Sequence, residues 1–375
     1  MHWTFRDSAF IMDAREKLLF IFRSNIVRGL HLQDTVPSGP DDFLWGMNHI
    51  NPERFDVSSI NAPREGRRRG IRLLTWPFET IFVRATRIGL PFEIYLLFSK
   101  EIKSAEEIVC TNDQISLGIL FWRLFGFLKK PRIHCVVMSL PERVKFFGDK
   151  KWARKAVSVL LRKADTILTL SDLVHSDIRD LFGVLPSRIS TVGFGVDTEY
   201  WAPRPTLKSA PGSYVISIGN DMNRDYETLI RAIPSHIKTV IVTSKKIAAT
   251  RENVTVISDW ISNEDVRELY QKARITVIPS VAADLEFSGL STSLQSMANG
   301  TPLLVANLPA LVELFSPSSI AVFYEAEDSQ DLRKKILELW EDGEKRELQA
   351  ARALRFVREN FDSSMTARRI ESVLG

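Results

Sequence analysis

The chain has 375 residues, of which 45% are hydrophobic and 26% are charged, and its formal net charge at pH 7 is +4. This length exceeds that of one typical domain, so we expect two domains of ordinary globular composition. The two cysteines lie in apolar runs, which argues against a disulfide framework and favours a reducing compartment. No run of about eighteen apolar residues occurs, so we expect a cytoplasmic protein without a membrane span.

Short apolar runs alternate with amphipathic runs through most of the chain. In the first half the predicted strands are 17–24, 107–111, 133–139 and 166–171, and the predicted helices are 41–49, 114–128, 143–163 and 172–182. In the second half the predicted strands are 214–219, 239–244, 254–258, 275–279, 302–306 and 321–324, and the predicted helices are 226–233, 264–272, 291–299, 331–341, 345–360 and 363–374. This alternation is typical of parallel sheets covered by helices on both faces. A proline-containing linker at 201–212 separates the halves, so the sequence predicts two doubly wound α/β domains that face a cleft.

The basic residues are concentrated in the first half of the chain. Residues 120–163 contain twelve Lys and Arg residues against two acidic ones, interleaved with large aromatic side chains. Such a mixture suits contact with an anionic membrane surface, although a solubilising face has the same composition. The expected contact residues are Lys129, Lys130, Lys150, Lys151, Arg154 and Lys155. They would place the protein at the inner face of a membrane. No zinc-finger spacing or RNA-binding signature occurs, so nucleic acid is not an expected partner.

Small residues cluster where the predicted helix 291–299 begins. Ser288, Gly289, Ser291 and Thr292 lie at this helix start. Unpaired N–H groups and the partial positive charge of a helix N-terminus form a site for a phosphate group. Gly289 would let the backbone approach such a ligand without a Cβ in the way. An ordinary capped helix with a glycine stop is the alternative.

Four segments, taken in chain order, resemble the retaining glycosyltransferases with the GT-B fold in glycosyltransferase family 4. The stretch 286–304 reads Glu-Phe-Ser-Gly-Leu-Ser-Thr-Ser-Leu-Gln-Ser-Met-Ala-Asn-Gly-Thr-Pro-Leu-Leu and resembles the donor-site signature of that family. Segments 192–203, 216–229 and 254–280 resemble its interdomain segment and the following strand–helix units. The N-terminal half is similar only in its order of strands and helices.

The resemblance implies a division of labour between two Rossmann-like domains. Residues 1–203 would bind the acceptor and residues 204–360 the nucleotide sugar, while 361–375 would cross back onto the N-terminal domain. The implied reaction moves a sugar from a nucleotide diphosphate sugar, for which we expect UDP, to a hydroxyl of a lipid-linked, polysaccharide or small-molecule acceptor. The anomeric configuration would be retained. A non-catalytic GT-B protein that binds a nucleotide or a protein partner is the alternative.

The resemblance also assigns residues to the donor site. Arg224 matches the basic residue that contacts the donor diphosphate in relatives, whereas Asn220 stands where many relatives have another arginine. Asp259 and Trp260 fall at the expected nucleobase site. The expected donor-site residues are Gly195, Gly219, Asn220, Arg224, Lys245, Asp259, Trp260, Glu286, Ser288, Gly289, Leu290, Ser291, Thr292 and Gln295.

Two departures concern the paired glutamates of this family. Glu286 resembles the first of them, which binds hydroxyls of the donor sugar. Gln295 stands where relatives usually have a second glutamate that binds the ribose; glutamine can still bind a diol, but without charge. Relatives separate the pair by eight positions, whereas here the separation is nine, and the residue eight before Gln295 is Phe287.

The expected catalytic residues are Glu286, Arg224 and Asp113. Asp113 follows a predicted strand of the N-terminal half and could orient an acceptor hydroxyl or handle its proton, or it could simply cap the next helix. The sequence contains no Asp-x-Asp motif, so we expect transfer without a metal and without a bound cofactor.

Overall fold

Two parallel six-stranded sheets organise the chain. The computed structural model describes residues 15–23, 39–61, 79–204, 214–248, 251–282 and 287–375, apart from the side chains of Lys145 and Pro317. The first sheet has the strand order β2-β1-β3-β4-β5-β6, and the second has the order β12-β11-β10-β7-β8-β9. Each sheet is built from consecutive strand–helix units, so the predicted pair of doubly wound α/β domains is confirmed.

The first sheet is made of short apolar strands that are buried by helices on both faces. Its strands are β1 (Glu16–Phe22), β2 (Phe55–Asn61), β3 (Glu107–Cys110), β4 (Arg132–Val137), β5 (Thr166–Thr169) and β6 (Ile189–Thr191). The helices of this half are α1 (79–86), α2 (Glu93–Leu97), α3 (Ser99–Ser104), α4 (Asp113–Leu124), α5 (Leu140–Arg143), α6 (Lys151–Leu161) and α7 (Asp172–Phe182). Local signals fix several ends: Asn112 and Ser171 cap α4 and α7 through their side chains, and Gly183 ends α7 in a left-handed conformation.

The second sheet repeats this pattern. Its strands are β7 (Tyr214–Ile218), β8 (Lys238–Val242), β9 (Val254–Ile257), β10 (Ile275–Ile278), β11 (Leu303–Ala306) and β12 (Val322–Tyr324). Its helices are α8 (Tyr226–Ala232), α9 (Asn263–Lys272), α10 (Leu290–Ala298), α11 (Pro309–Phe315), α12 (Ser329–Glu341) and α13 (Gly343–Asn360), followed by the last helix, α14 (Ser363–Glu371). Ser262 and Asp265 form a capping box at the start of α9.

Two predicted helices are broken in the structure. The predicted helix 41–49 is a pair of short 3-10 helices, Asp42–Leu44 and Met47–His49, because Trp45 and Gly46 between them have φ values of 55° and 71°. A Cβ on Gly46 would lie 2.5 Å from the backbone nitrogen of Ala367, so contact with α14 requires glycine there. The predicted helix 143–163 is interrupted at Gly148, where φ is 53°.

The last helix lies against residues of the N-terminal half. Val196 and Asp362 form an isolated parallel bridge just before α14 begins. The Ser363 hydroxyl donates to Asp41 Oδ1 at 2.6 Å, and Arg54 Nη2 donates to the Leu374 carbonyl at 3.0 Å. These contacts join the two ends of the described chain.

A continuous apolar core links the two sheets. One buried cluster extends from Phe20 in β1 through Trp201 to Val215 in β7. Trp201 is fully buried, its ring lies edge-on to Tyr270, and its carbonyl accepts from Asn299 Nδ2 at 3.0 Å. Trp201, at the start of the predicted linker, thus packs as part of the C-terminal core.

Candidate functional site

A cavity of about 570 Å³ lies between the two domains. Its N-terminal wall includes Met138 and Leu170, at the carboxyl ends of β4 and β5. Its C-terminal wall includes Asp221, Phe287 and Ser288, which follow β7 and β10. Ligands of open parallel sheets bind beyond the carboxyl ends of the strands, so this cavity is the candidate site.

Arg224 is enclosed beneath the C-terminal wall of the cavity. Its side chain is only 1% exposed, and its Nε lies 2.9 Å from Asp221 Oδ2. Nη2 donates to Thr292 Oγ1 at 2.9 Å. Nη1 is buried and has no hydrogen-bond partner among the described residues. Nε also lacks a hydrogen-bond partner within the described ranges, despite its short distance to Asp221. Arg224 is therefore a buried cation with two unused donor nitrogens at a helix start, an arrangement that an anionic group would complete.

Two glycines make room for this arginine. An added Cβ on Gly219 would lie 2.1 Å from Arg224 Nε, and one on Gly289 would lie 2.6 Å from Arg224 Nη1. Gly289 has φ of 86° and begins α10 without a side-chain cap. The N–H groups of the first helical turn, including those of Ser291 and Thr292, therefore have no partner inside the helix. The Leu290 N–H is used, since it donates to the Phe287 carbonyl at 2.9 Å.

A network of polar contacts holds the loop that follows β7. The Ser288 hydroxyl donates to Asp221 Oδ1 at 2.6 Å. Lys245 Nζ donates to the carbonyls of Met222 and Arg224, at 3.0 and 2.9 Å. Lys245 therefore supports the loop around Arg224.

Asn220 connects this loop to the end of β8. Its Oδ1 accepts from the N–H of Ser244 at 2.6 Å and from the Thr243 hydroxyl at 3.2 Å. Asn220, which stands where many relatives have an arginine, thus holds two neighbouring loops together.

Gln295 contacts a residue that the sequence did not single out. Its Nε2 donates to Asp42 Oδ2 at 2.7 Å. Asp42 also accepts from the Asp197 N–H at 2.8 Å and from Trp201 Nε1 at 3.1 and 3.0 Å. Burial raises the pKa of Asp42 to about 6, and the hydrogen bonds from Asp197, Gln295 and Trp201 oppose that rise. Asp42 therefore joins the N-terminal half, the linker and α10 at one point.

Several expected donor-site residues are not among the residues that contact Arg224. Gly195 meets α14, since a Cβ there would lie 2.7 Å from Thr366 Oγ1. Asp259 and Trp260 follow β9 at the surface, and the Trp260 side chain is 88% exposed. Glu286 lies outside the described residues. The structure thus brings together the residues around Arg224, Gly289 and Thr292.

Asp113 lies at the N-terminus of α4 and is buried. One oxygen accepts from the Met138 N–H at 3.0 Å, and the other accepts from the Ser139 N–H at 3.2 Å and the Ser139 hydroxyl at 3.1 Å. Burial raises the pKa of Asp113, while the hydrogen bonds from Ser139 and Met138 oppose the rise. Asn112, the residue before it, caps the helix. Asp113 therefore positions the end of β4 at the cavity wall, and a role in proton transfer stays a hypothesis.

Replacing Asp113 with asparagine is expected to lower the free energy of unfolding by about 1–3 kcal/mol. An asparagine side chain has one acceptor oxygen where the carboxylate has two. One of the buried N–H groups of Met138 and Ser139 therefore loses its acceptor. Urea unfolding measures the loss, and turnover at saturating donor is expected to fall by less than tenfold. A loss of turnover above a hundredfold at unchanged stability would instead assign Asp113 to the chemistry.

Comparison with known proteins decides the fold. Residues 224–372 match the sequence model of a family described as glycosyl transferase-like. The structure is similar to that of Anabaena Alr3699/HepE in complex with UDP and glucose, with a TM-score of 0.69 and 14% identity over 96% of this chain and 99% of that one. It is also similar to sucrose-phosphate synthase from Thermosynechococcus elongatus, with a TM-score of 0.66 and 14% identity over 96% and 98% of the chains. The chain has the GT-B fold.

One relative of known function is similar to part of this chain in sequence. The MMP alpha-(1->4)-mannosyltransferase of Mycolicibacterium hassiacum is 26% identical over 56% of this chain and 56% of its own length. The chain therefore matches about half the length of this relative. This likeness and the family match are the sequence similarities from which a function is proposed below.

Two further observations bear on cofactors and membranes. Among residues that the structure describes, no group of three or more His, Cys, Asp or Glu side chains could hold a metal ion. No helix in the same ranges is both long and apolar enough to cross a bilayer.

Proposed function

We propose that this chain is a retaining glycosyltransferase of family 4 that uses a UDP-sugar donor. The observation that carries the proposal is Arg224, buried at the start of α10 with an unused donor, behind the wall of the interdomain cavity. A guanidinium and a helix N-terminus both favour a diphosphate. The choice of UDP is supported by the bound UDP and glucose of the Anabaena neighbour.

The proposed division of labour follows the two sheets. Residues 204–360 bind the donor, residues 1–203 bind the acceptor, and 361–375 cross back onto the N-terminal domain. Charge that develops on the leaving diphosphate is stabilised by Arg224 and by the N–H groups at the start of α10. Glu286 binds the sugar hydroxyls. The acceptor oxygen forms a bond to the anomeric carbon on the face from which the diphosphate leaves, so the configuration is retained, and the acceptor proton passes to the leaving diphosphate.

Sugar transfer is the direct test of this function. The purified protein is incubated with labelled UDP-sugars and with lipid-linked, polysaccharide and small-molecule acceptors, and both UDP release and labelled product are measured. We expect one donor to give a product whose anomeric configuration, determined by NMR, equals that of the donor. An inverted product would contradict retention, and UDP binding without transfer to any acceptor would favour the non-catalytic alternative.

The non-catalytic alternative has one structural observation in its favour. Arg224 and Gln295, two side chains expected to bind the donor, already contact Asp221 and Asp42. A protein that binds a nucleotide without turning it over would tolerate such contacts. The transfer assay separates the two functions.

We further propose that helix α6 carries the contact with an anionic membrane. Two surface grooves share Lys155 and Val159 of this helix. One groove is basic and includes Lys150, Lys151 and Arg154. The other is almost entirely apolar, and its residues Phe125 and Trp152 are 62% and 49% exposed. Basic and apolar surfaces side by side match the headgroups and acyl chains of a lipid surface.

Charge reversal at the basic groove is expected to remove vesicle binding. In the triple variant Lys150→Glu, Lys151→Glu, Arg154→Glu, binding to vesicles with anionic phospholipid should fall more than tenfold, because each basic residue near the surface contributes about 1 kcal/mol. Vesicle sedimentation at low salt measures it. The control variant Lys238→Glu, Lys246→Glu, Lys334→Glu makes the same charge change at exposed positions elsewhere. Equal losses in both variants would contradict a specific contact, and so would parent protein that ignores these vesicles.

A further inference from the structure

The contact between Asp42 and Gln295 has a fixed direction. An ionised carboxylate only accepts hydrogen bonds, and the amide nitrogen is the only donor of a glutamine side chain. The distance of 2.7 Å between Gln295 Nε2 and Asp42 Oδ2 therefore sets the orientation of the amide. Gln295 is half-buried, and no group in the described part of the chain donates to its Oε1. That oxygen is left as a free acceptor.

Asp42 is itself held as an acceptor. Its carboxylate receives the Asp197 N–H and the Trp201 indole N–H in addition to the Gln295 amide. Asp42 and Trp201 are buried, so turning the carboxylate away would leave donors without a partner. The orientation of Gln295 is thus dictated by a residue more than 250 positions away in the sequence.

This arrangement gives a physical reason for glutamine at position 295. A glutamate there would place a second carboxylate against Asp42 at hydrogen-bond distance, with no proton donor between them. A glutamine avoids the repulsion and still presents one oxygen. The departure from the glutamate of relatives and the presence of Asp42 are then two parts of one feature.

We propose that Asp42 is a positioning residue of the donor site, which orients the Gln295 amide so that Oε1 accepts a hydrogen bond from a ribose hydroxyl of the donor. This inference rests on the proposed UDP-sugar site. Asp42 does not touch the ligand itself; it acts through Gln295. The pair thus supplies the acceptor oxygen that a single glutamate supplies in relatives.

A double-mutant cycle tests the assignment. The dissociation constants of UDP, 2′-deoxy-UDP and 3′-deoxy-UDP are measured by calorimetry at pH 8 for the parent, Asp42→Asn, Gln295→Glu and the double variant, together with the four melting temperatures. We expect the parent to bind UDP more tightly than at least one deoxy analogue, since that analogue lacks the hydroxyl that Oε1 accepts from.

The two single variants are each expected to lose this discrimination. In Asp42→Asn, the carboxamide oxygen still accepts from Asp197 and Trp201. Its NH₂ group can only donate, so it pairs with Gln295 Oε1, which reverses the orientation of the Gln295 amide and leaves no free acceptor. In Gln295→Glu, the two carboxylates repel, which lowers the melting temperature and displaces residue 295. UDP affinity should fall about fivefold to tenfold in each case, a range typical of one lost hydrogen bond.

The double variant is expected to recover what each single variant loses. The carboxamide introduced at position 42 would donate to one oxygen of the carboxylate introduced at position 295 and leave the other oxygen free. Both the UDP affinity and the discrimination should therefore return to within about threefold of the parent values. Gln295→Glu would then be harmful in the parent background and beneficial in the Asp42→Asn background. A role of Asp42 in stability alone would change the melting temperatures and leave the ratio of UDP to deoxy-UDP affinity unchanged.

Two outcomes overturn the assignment in different ways. If the parent binds UDP but the effects of the two substitutions simply add, Asp42 does not position Gln295, and the proposed function stands. If the parent binds no UDP, the proposed function falls and this assignment falls with it. Gln295→Met removes both amide atoms and leaves Asp42 in place, so it must also lose the discrimination; retention there overturns the assignment even if Asp42→Asn fails to fold.

Discussion

Replacing Gly289 with alanine is expected to destabilise the C-terminal domain by about 3 kcal/mol or more and to abolish UDP binding. The backbone φ of 86° at this position costs a non-glycine residue about 1–2 kcal/mol. The new Cβ would also lie 2.3 Å from Ile278 Cγ2 and 2.6 Å from Arg224 Nη1, so either β10 or the arginine must move. The backbone strain and the displacement both alter the start of α10, where the diphosphate of UDP is proposed to bind.

Gly300→Ala is the matched control for this substitution. Gly300 also has a positive φ, of 78°, but an added Cβ there would meet no atom within 4 Å. The stability that Gly300→Ala loses should therefore be limited to the backbone strain, and its UDP affinity should equal that of the parent. Urea unfolding and calorimetry with UDP measure both variants. Equal stability losses in the two variants would show that the close packing of Gly289 over Arg224 contributes nothing.

Replacing Arg224 with methionine is expected to weaken UDP binding about a hundredfold. Methionine fills much of the enclosed space but removes the charge and all guanidinium donors. Hydrogen bonds to charged groups contribute about 1.5–3 kcal/mol each, so losing them at the diphosphate gives a factor of this size. The UDP affinity of Arg224→Lys should lie between those of the parent and Arg224→Met. The lysine keeps the charge, but one ammonium group cannot contact Asp221 and Thr292 as the guanidinium does.

The control for Arg224 is a nearby arginine with a local partner. Arg231 lies on α8, is exposed, and donates to Thr228 Oγ1 at 2.8 Å. Arg231→Met removes the same charge and should leave UDP affinity within about twofold of the parent value. UDP affinity that survives in Arg224→Met would remove this arginine from the donor site.

The sheet architecture could be predicted because buried parallel strands are continuous apolar runs. Two strands were not predicted for local reasons. In β2, an edge strand, the buried Phe55 and Ile60 are separated by four exposed or half-buried residues, three of them polar, and β6 has only three residues. Helix α11 was also not predicted, since it has only seven residues and begins with a proline. Short and edge elements depend on tertiary contacts that a local pattern does not contain.

The break at Trp45 and Gly46 has the same kind of cause. The left-handed backbone there is imposed by the close approach of Ala367, which is more than 300 residues away in the sequence. The apolar spacing of 41–49 is compatible with a helix, so only the packed structure distinguishes the two conformations.

The site divides along similar lines. The resemblance and the local pattern pointed to Arg224, Gly289 and Thr292, and the structure brings these three together. Asp221 and Asp42 were not predicted as site residues. Asp221 pairs with the nearby Arg224 but also accepts from Ser288, which is distant in sequence, and Asp42 accepts from the still more distant Gln295. No local spacing reports such pairs.

The measurement that tests the central claim most directly is a set of thermal melts of the purified protein with UDP, GDP, ADP and TDP. A ligand that binds only the folded protein must raise its melting temperature. The account predicts a rise with UDP at millimolar concentration that is larger than with the other three diphosphates and is much smaller in Arg224→Met. An unchanged melting temperature with all four diphosphates, or an equal rise in Arg224→Met, would contradict a nucleotide-sugar site at this cleft.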